Sequence, residues 1–183
     1  VEMRVVDDAG RDVPVGEPGE LLLRGPGIAR GYFRKPELTA QTFADGWLRT
    51  GDIGRIDEDG FLFIVDRKKE MIITGGYNVY PREIEEVVHR FEGVLEVAAI
   101  GAPDERLGER IVAFVVPAEP GSSVDAGALL AHCNECLARY KVPREVRLVD
   151  ALPRNATGKV DRLRLRAVAA DPSLVPTDQE SRT

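Results

Sequence analysis

Trp47-Leu-Arg-Thr-Gly-Asp52 is the stretch on which the reading of this chain depends. Glycine at position 51 lets the backbone turn tightly, and Asp52 then presents a carboxylate that can accept two hydroxyl hydrogen bonds from a ribose. Alone, Thr-Gly-Asp reads first as a turn, since Gly-Asp is ordinary turn chemistry. Its weight comes from the segments downstream of it: Asp66-Arg67-Lys68-Lys69-Glu70, Gly75-Gly76-Tyr77-Asn78, Arg139-Tyr140-Lys141-Val142-Pro143 and Pro153-Arg-Asn-Ala-Thr-Gly-Lys159. Several polar signatures in a fixed order are far rarer than one.

Upstream, residues 3–6 and 19–24 read as short strands separated by the turn residues Asp8, Gly10, Pro14 and Gly16. Residues 36–43 read as a short helix with Pro36 and Glu37 in its first turn, ended by Asp45-Gly46. Residues 47–49, 53–56 and 61–65 read as strands, the last two joined by a hairpin turn at Asp57-Glu-Asp-Gly60. This half predicts a small sheet or partial barrel.

Downstream, a two-stranded ribbon is expected around Gly75-Gly76, then a helix opened by Pro81 with Ile84, Val87, Val88 and Phe91 at helical spacing. Residues 94–100 and 110–116 read as strands. Residues 125–140 read as one helix with Ala126, Leu129, Cys133, Leu137 and Tyr140 on a common stripe. A strand over 145–149 and a helix over 160–170 complete an α+β unit, and the polar residues 171–183 predict a disordered tail. No internal repeat is present.

Composition narrows the function classes. The chain has 183 residues and a formal net charge of −6, which argues against a general nucleic-acid binder, because such a protein needs a basic face to displace counterions. No run of about 18 apolar residues occurs, so no transmembrane anchor is expected, and no signal peptide is visible. Phosphate ligands would therefore meet a few local cations. The two cysteines, Cys133 and Cys136, have C-x-x-C spacing, but a structural zinc needs four ligands and the only histidines are His89 and His132. Reduced thiols of a cytoplasmic protein, with no bound metal, are the expectation.

Four further sites invite a chemical reading on residue type alone. Arg67 follows a strand, where a guanidinium can hydrogen-bond ribose or phosphate oxygens; a solvated turn in which Asp66 and Glu70 balance the cations is the alternative. Gly75-Gly76 leaves a backbone that another chain or ligand can approach, or simply makes a hairpin turn. Tyr140 offers a face on which an adenine could stack, with Lys141 or Arg144 near its phosphates, although the apolar stripe favours packing. Lys159 invites a Walker reading that fails, since Pro153 stands where that loop needs glycine and Val160 where it needs Ser or Thr.

Taken together, these signatures resemble those of the adenylate-forming enzymes: acyl-CoA synthetases, firefly luciferases and the adenylation domains of peptide synthetases. The resemblance covers roughly residues 1–166. It implies that residues 1–66 end a large N-terminal AMP-binding domain, that 67–70 form a hinge and that 71–170 form a mobile C-terminal domain. The phosphate loop and acyl pocket of that family lie upstream, so the chain reads as the C-terminal portion of a larger enzyme, with the missing N-terminal domain as its partner. Isolated, it is expected to be nearly inert, with half a site for ATP and acid.

The resemblance also assigns roles. Asp52 and Arg67 become ATP/AMP contacts, Asp52 at the ribose, and Lys69 becomes the hinge residue, which absorbs a change in φ/ψ between two domain arrangements. Lys159 becomes the catalytic lysine that contacts both the carboxylate and the α-phosphate. Gly75 and Gly76 line the CoA pantetheine tunnel, and Tyr140 joins them as a CoA contact. Ile73 departs from plant coumarate ligases, which carry a substrate-touching lysine there. The implied reaction joins a carboxylic acid to ATP, with Mg2+ accompanying the nucleotide, and then passes the acyl group to CoA. The wording of residues 74–85 and 103–109 looks most like fatty-acyl-CoA ligases. Two rivals stand beside it: an adenylation domain that loads a carrier protein, and a non-catalytic module derived from such an enzyme.

Overall fold

The computed structural model describes residues 1–119 and 124–171. Apart from Asp171, the expected disordered tail lies outside the described residues. The chain divides into two compact units, Val1–Lys69 and Glu70 onward.

The first unit is an antiparallel half-barrel sheet. It contains β1 (Glu2–Val6), β2 (Gly19–Arg24), β3 (Phe43–Ala44), β4 (Trp47–Ile56) and β5 (Leu62–Arg67), with the short helix α1 (Pro36–Thr42) before β3. The order is β1-β2-β4-β3, and β5 also pairs with β4. Val5, Val6, Leu21, Leu22 and Ile53 are its buried apolar residues. The indole of Trp47 lies against two guanidiniums, with Arg24 4.4 Å and Arg4 5.4 Å from its ring centroid.

The structure corrects two local expectations. Asp45-Gly46 does not end the helix, which stops at Thr42; it is a two-residue hairpin turn joining Ala44 to Trp47. Both residues have positive φ, 53° and 77°, the twist that a tight hairpin needs and that Asp and Gly tolerate best. The Thr-Gly-Asp triplet is not a turn between two strands either. Residues 47–56 form one strand, and the triplet is a bulge within it, because Leu22 pairs with Arg49 while Glu20 pairs with Ile53. Gly51, at φ 70°, supplies the left-handed kink.

The second unit is a mixed sheet with helices on both faces. Its centre is a long hairpin, β8 (Val94–Asp104) and β9 (Gly108–Pro117), turned by Asp104, whose Oδ1 accepts the Arg106 and Leu107 amides. Strand β10 (Glu145–Leu148) runs parallel to β9, and the ribbon β6 (Ile72–Thr74) and β7 (Tyr77–Val79) joins through Thr74 opposite Gly108. Both faces of β9 are apolar, and its residues alternate between two cores. Ile111, Ala113 and Val115 pack with the ribbon, with α2 (Pro81–His89) and with α3 (Ala126–Cys136). Val112, Phe114 and Val116 pack with Leu152 and with α4 (Arg162–Ala170) through Leu165, Val168 and Ala169.

Capping explains the helix limits. Pro81 opens α2 at its first turn, Asp125 caps α3 by accepting the Gly127 and Ala128 amides, and Asp161 caps α4 by accepting the Arg164 amide. The free carbonyls at the other end of α4 meet Arg147, which donates to Val168 and Ala169, and Arg110, which donates to Ala169. The expected helix over 125–140 is shorter than its apolar stripe. It stops at Cys136, Leu137 turns extended (φ −118°, ψ 150°) while its side chain stays in the core, and Tyr140 falls in a separate 3-10 turn.

Candidate active-site segments

The bulge in β4 sets the first segment. It is stitched down by the Thr50 hydroxyl, which donates to the Leu21 carbonyl at 2.8 Å and accepts the Asp52 amide at 3.0 Å. Asp52 thereby stands opposite Arg67 across the β4–β5 ladder, and Arg67 Nε lies 2.7 Å from Asp52 Oδ1. Arg67 is thus the last residue of β5 rather than a residue beyond the strand. Such an exposed pair adds little to stability. Its chemistry is the point: a carboxylate acceptor and a planar donor fork lie side by side at the surface, the pairing that ribose hydroxyls and phosphate oxygens can engage.

Lys68, Lys69 and Glu70 form one 3-10 turn after β5. Lys68 is tied within the first unit, with Nζ 2.9 Å from Asp8 and 3.1 Å from Glu20. Burial pulls its pKa down, yet the hydrogen bonds it donates to these two carboxylates, together with their charges, outweigh burial and leave it raised. Glu20 is itself buried and also receives Arg49 at 2.9 Å. Sequence reading missed Glu20; a lone acid in the apolar run Gly-Glu-Leu-Leu-Leu was the available signal. The Lys69 side chain is exposed.

In the second unit Gly75 and Gly76 form the ribbon's two-residue turn, with φ of 57° and 84°. A Cβ on Gly76 would meet nothing and one on Gly75 would reach Leu107 Cδ2 at 3.5 Å, so backbone conformation, not crowding, calls for glycine here. The ribbon is pinned by the Gly75 amide to the Leu107 carbonyl at 2.9 Å and by the Ile73 amide to Glu109 Oε2 at 2.7 Å.

Tyr140 lies beside this ribbon. Its ring stacks on Tyr77, with centroids 4.4 Å apart and planes 20° from parallel. Both rings stay open to solvent, at 40% and 55% exposure, so the stack is not a core contact. The pair borders a cavity of about 220 Å³ whose wall includes Thr74, Gly75, Leu107, Arg139 and Arg144. Lys141 is held in a bidentate pair with Glu83 at 2.7 Å, and its Nζ also lies over the Tyr140 ring, 5.6 Å from the centroid. Both cations anticipated beside Tyr140 are there: Arg144 lines this cavity, and Lys141 lies over the ring while paired with Glu83.

Lys159 closes a tight loop organised by Asn155. Asn155 Oδ1 accepts from the Thr157 amide, the Thr157 hydroxyl and the Lys159 amide, at 3.0, 2.7 and 3.1 Å. Arg154 braces the loop from outside, donating to the Gly158 carbonyl and pairing with Glu96 on β8. The loop is held by its own hydrogen bonds, and Lys159 is exposed on it. The structure thus joins Asp52 to Arg67, and Gly75 to Tyr140, and gives Lys159 a loop of its own.

Among the described residues no group of three or more His, Cys, Asp or Glu side chains is arranged to hold a metal ion. Both cysteines are free, Cys133 buried and Cys136 exposed. Burial, with a smaller contribution from Cys136, pushes the Cys133 thiol up to about 11, so it stays protonated near neutrality. No helix among the described residues is long and apolar enough to cross a membrane.

Fold and motif order together point to the family of AMP-binding, adenylate-forming enzymes, and the chain belongs to that family. Residues 1–33 match the family model described as AMP-binding enzyme, and residues 83–159 match AMP-binding enzyme C-terminal domain. Among individual proteins, it is 50% identical over 165 residues to a long-chain-fatty-acid–CoA ligase of Yersinia pestis, covering 90% of this chain and 29% of that protein. It is 49% identical over 163 residues to a sulfoacetate–CoA ligase of Cupriavidus necator, covering 88% of this chain and 32% of that protein. The ATP-bound crystal structure of MatB from Rhodopseudomonas palustris aligns with a TM-score of 0.86 at 40% identity, covering 94% of this chain and 35% of that one. The chain thus spans about a third of the length of the relatives it matches.

Proposed function

We propose that this chain supplies the C-terminal part of an AMP-forming acyl-CoA synthetase, an acid–thiol ligase. In the first step a carboxylate oxygen of the acid attacks the α-phosphorus of ATP, giving acyl-adenylate and releasing pyrophosphate. In the second, the thiol of CoA attacks the acyl carbonyl, giving the thioester and releasing AMP. Asp52 accepts the ribose hydroxyls, and Arg67 donates to ribose or phosphate oxygens. Lys159 places an ammonium between carboxylate and α-phosphate, where negative charge gathers in the transition state. Magnesium enters with the ATP phosphates, whose oxygens are the hard ligands it prefers.

One observation carries this reading. The ribbon with Gly75 and Gly76 belongs to the core on one face of the β8–β9 hairpin, whereas Leu152 and Val160, which flank the Lys159 loop, belong to the core on the other. Two elements on opposite faces of one sheet cannot meet the same substrate at once. A unit that serves two half-reactions in turn, by rotating about Lys69, accounts for both. The open Tyr77–Tyr140 stack with Arg139 and Arg144 favours CoA over a carrier protein as acceptor, because an aromatic face beside cations suits a nucleotide.

The acid is a carboxylic acid. Identity with the Yersinia pestis ligase favours a fatty acid, while similar identity with the sulfoacetate ligase is expected if the acid is chosen elsewhere in the enzyme. Free thiols and the need for ATP and CoA suit the cytoplasm.

The test uses the native-length product incubated with ATP, magnesium, CoA and a panel of carboxylic acids, with acyl-CoA and AMP followed by mass spectrometry. Acyl-CoA with AMP is the expected result; adenylate without thioester points to a carrier-protein acceptor, and no ATP use to a non-catalytic module. Lys159→Ala is expected to abolish adenylation yet spare thioester formation from supplied acyl-adenylate. Equal loss in both steps removes Lys159 from its role.

A further inference from the structure

Arg162 stands three residues beyond Lys159, at the first position of α4. Its guanidinium is held on three sides. Nε pairs with Glu70 Oε2 at 2.8 Å, Nη2 pairs with Glu85 Oε1 at 2.7 Å, and Nη1 donates to the Ala99 carbonyl at 2.7 Å. Glu85 in turn accepts the Ala99 amide at 2.8 Å, so fork, carboxylate and backbone form one closed set. All three side chains are mostly buried, with 21%, 26% and 18% exposure for Arg162, Glu70 and Glu85.

A buried ion cluster is weak evidence for stability, since packed apolar residues of similar volume often do as well. What a planar fork adds is direction: each arm admits one partner geometry. Here the arms tie the residue just after Lys69 to α2, to β8 and to the base of the Lys159 loop. Lys68, on the other side of Lys69, is tied to Asp8 and Glu20 instead. Lys69 is left between two anchors, one within each unit.

We propose that Arg162 is a positioning residue for adenylation: its clamp on Glu70 and Glu85 fixes the Lys159 loop to the start of the second unit, so that turning at Lys69 carries Lys159 as one rigid piece. This rests on the acyl-adenylate reading of that loop. Without the clamp the ammonium samples many positions, and misplacement of a reacting group by about 1 Å can cost a hundredfold in rate.

The test is made on the native-length enzyme, with ATP–pyrophosphate exchange and thioester formation from supplied acyl-adenylate measured separately. Glu70→Gln removes one charged arm while keeping the side chain's shape, and Arg162→Lys keeps the charge but loses the fork. Each is expected to lower kcat for exchange by about tenfold or more, with KM for ATP and the thioester step within about twofold of wild type. A merely structural role would lower both half-reactions together. Should Arg162→Lys fail to fold, Glu70→Gln decides. Exchange that depends on Lys159 but is unaltered by Glu70→Gln, or equal loss in both half-reactions, overturns the clamp and leaves the proposed reaction standing. Absence of exchange in the wild type overturns both.

Discussion

Gly101→Ala separates fold stability from control of the ribbon that carries Gly75 and Gly76. A Cβ at position 101 would lie 2.6 Å from Glu109 Oε1 and 2.7 Å from its Cδ, closer than real contacts allow. Gly101 lies within β8, so its backbone accepts alanine, and the carboxylate must yield. In yielding, it drops the Ile73 amide that it now accepts at 2.7 Å. A hydrogen bond to a charged group is worth about 1.5–3 kcal/mol. Ile73 is 52% exposed, so water takes over part of that bond and about 1 kcal/mol is lost locally. Replacing glycine by alanine returns about 0.4–1 kcal/mol by restricting the unfolded chain.

The two effects nearly cancel in the global balance but not in the ribbon. The melting temperature is expected to shift by no more than about 2 °C. Amide exchange at Ile73 is expected to quicken about fivefold, because 1.4 kcal/mol of local opening corresponds to about tenfold. Ala99, whose amide is held by Glu85, serves as the internal reference and should not change. On the proposed reaction, the thioester step of the native-length protein is expected to fall several-fold while adenylation holds. An unchanged Ile73 exchange rate together with a large drop in melting temperature would show that Gly101 serves packing alone and refute the reasoning.

The remaining predictions concern the anchoring of α4. Leu165 is fully buried against the Phe114 face of the sheet, so Leu165→Ala should destabilise the second unit by about 2–5 kcal/mol, seen as a lower urea midpoint at unchanged m-value. Glu145 has its pKa lowered by its hydrogen bond from Arg147 and, to a smaller extent, by Arg110, the two arginines that hold the C-terminal carbonyls of α4. A carboxyl whose folded pKa is depressed contributes stability above its ordinary value of 4.5 and loses it as pH falls through the lower folded value. Glu145→Gln should therefore flatten the acid limb of stability measured below pH 4.5, and an unaltered limb would separate Glu145 from that transition.

Legibility of the fold in the sequence depends on which forces act locally. Turn chemistry is local, so Gly75-Gly76 and Asp57-Gly60 marked hairpins correctly, and Pro81 marked the start of α2. The Thr50-Gly51-Asp52 bulge was hidden because a bulge interrupts the alternation of a strand much as a turn does, and only pairing with β2 distinguishes them. The helix expected to reach Tyr140 was overextended because Leu137 and Tyr140 fit a helical stripe, while the extended backbone at Leu137 keeps only the first of them in the core. The Tyr77–Tyr140 stack and the Arg162 cluster each join residues distant in sequence. Nothing in residue spacing could announce them. Asp52, Arg67 and Lys159 could be nominated only as members of an ordered set of motifs, since each alone is an ordinary charged residue.

That ordered set also has a mechanical reading. Helices packed on a sheet stand about 10 Å from it, so groups belonging to its two faces lie farther apart than a few loop residues can shift without leaving their hydrogen bonds. The Lys159 loop is fixed by Asn155, Arg154 and Arg162, and the ribbon by Leu107 and Glu109. Neither can travel to the other's position while those bonds stand. On the proposed reaction, exchange of the two at one substrate must therefore be a rotation of the whole second unit. Such a rotation asks for a single weakly held residue between strongly held neighbours, and Lys69, exposed between the Lys68 and Glu70 anchors, meets that requirement.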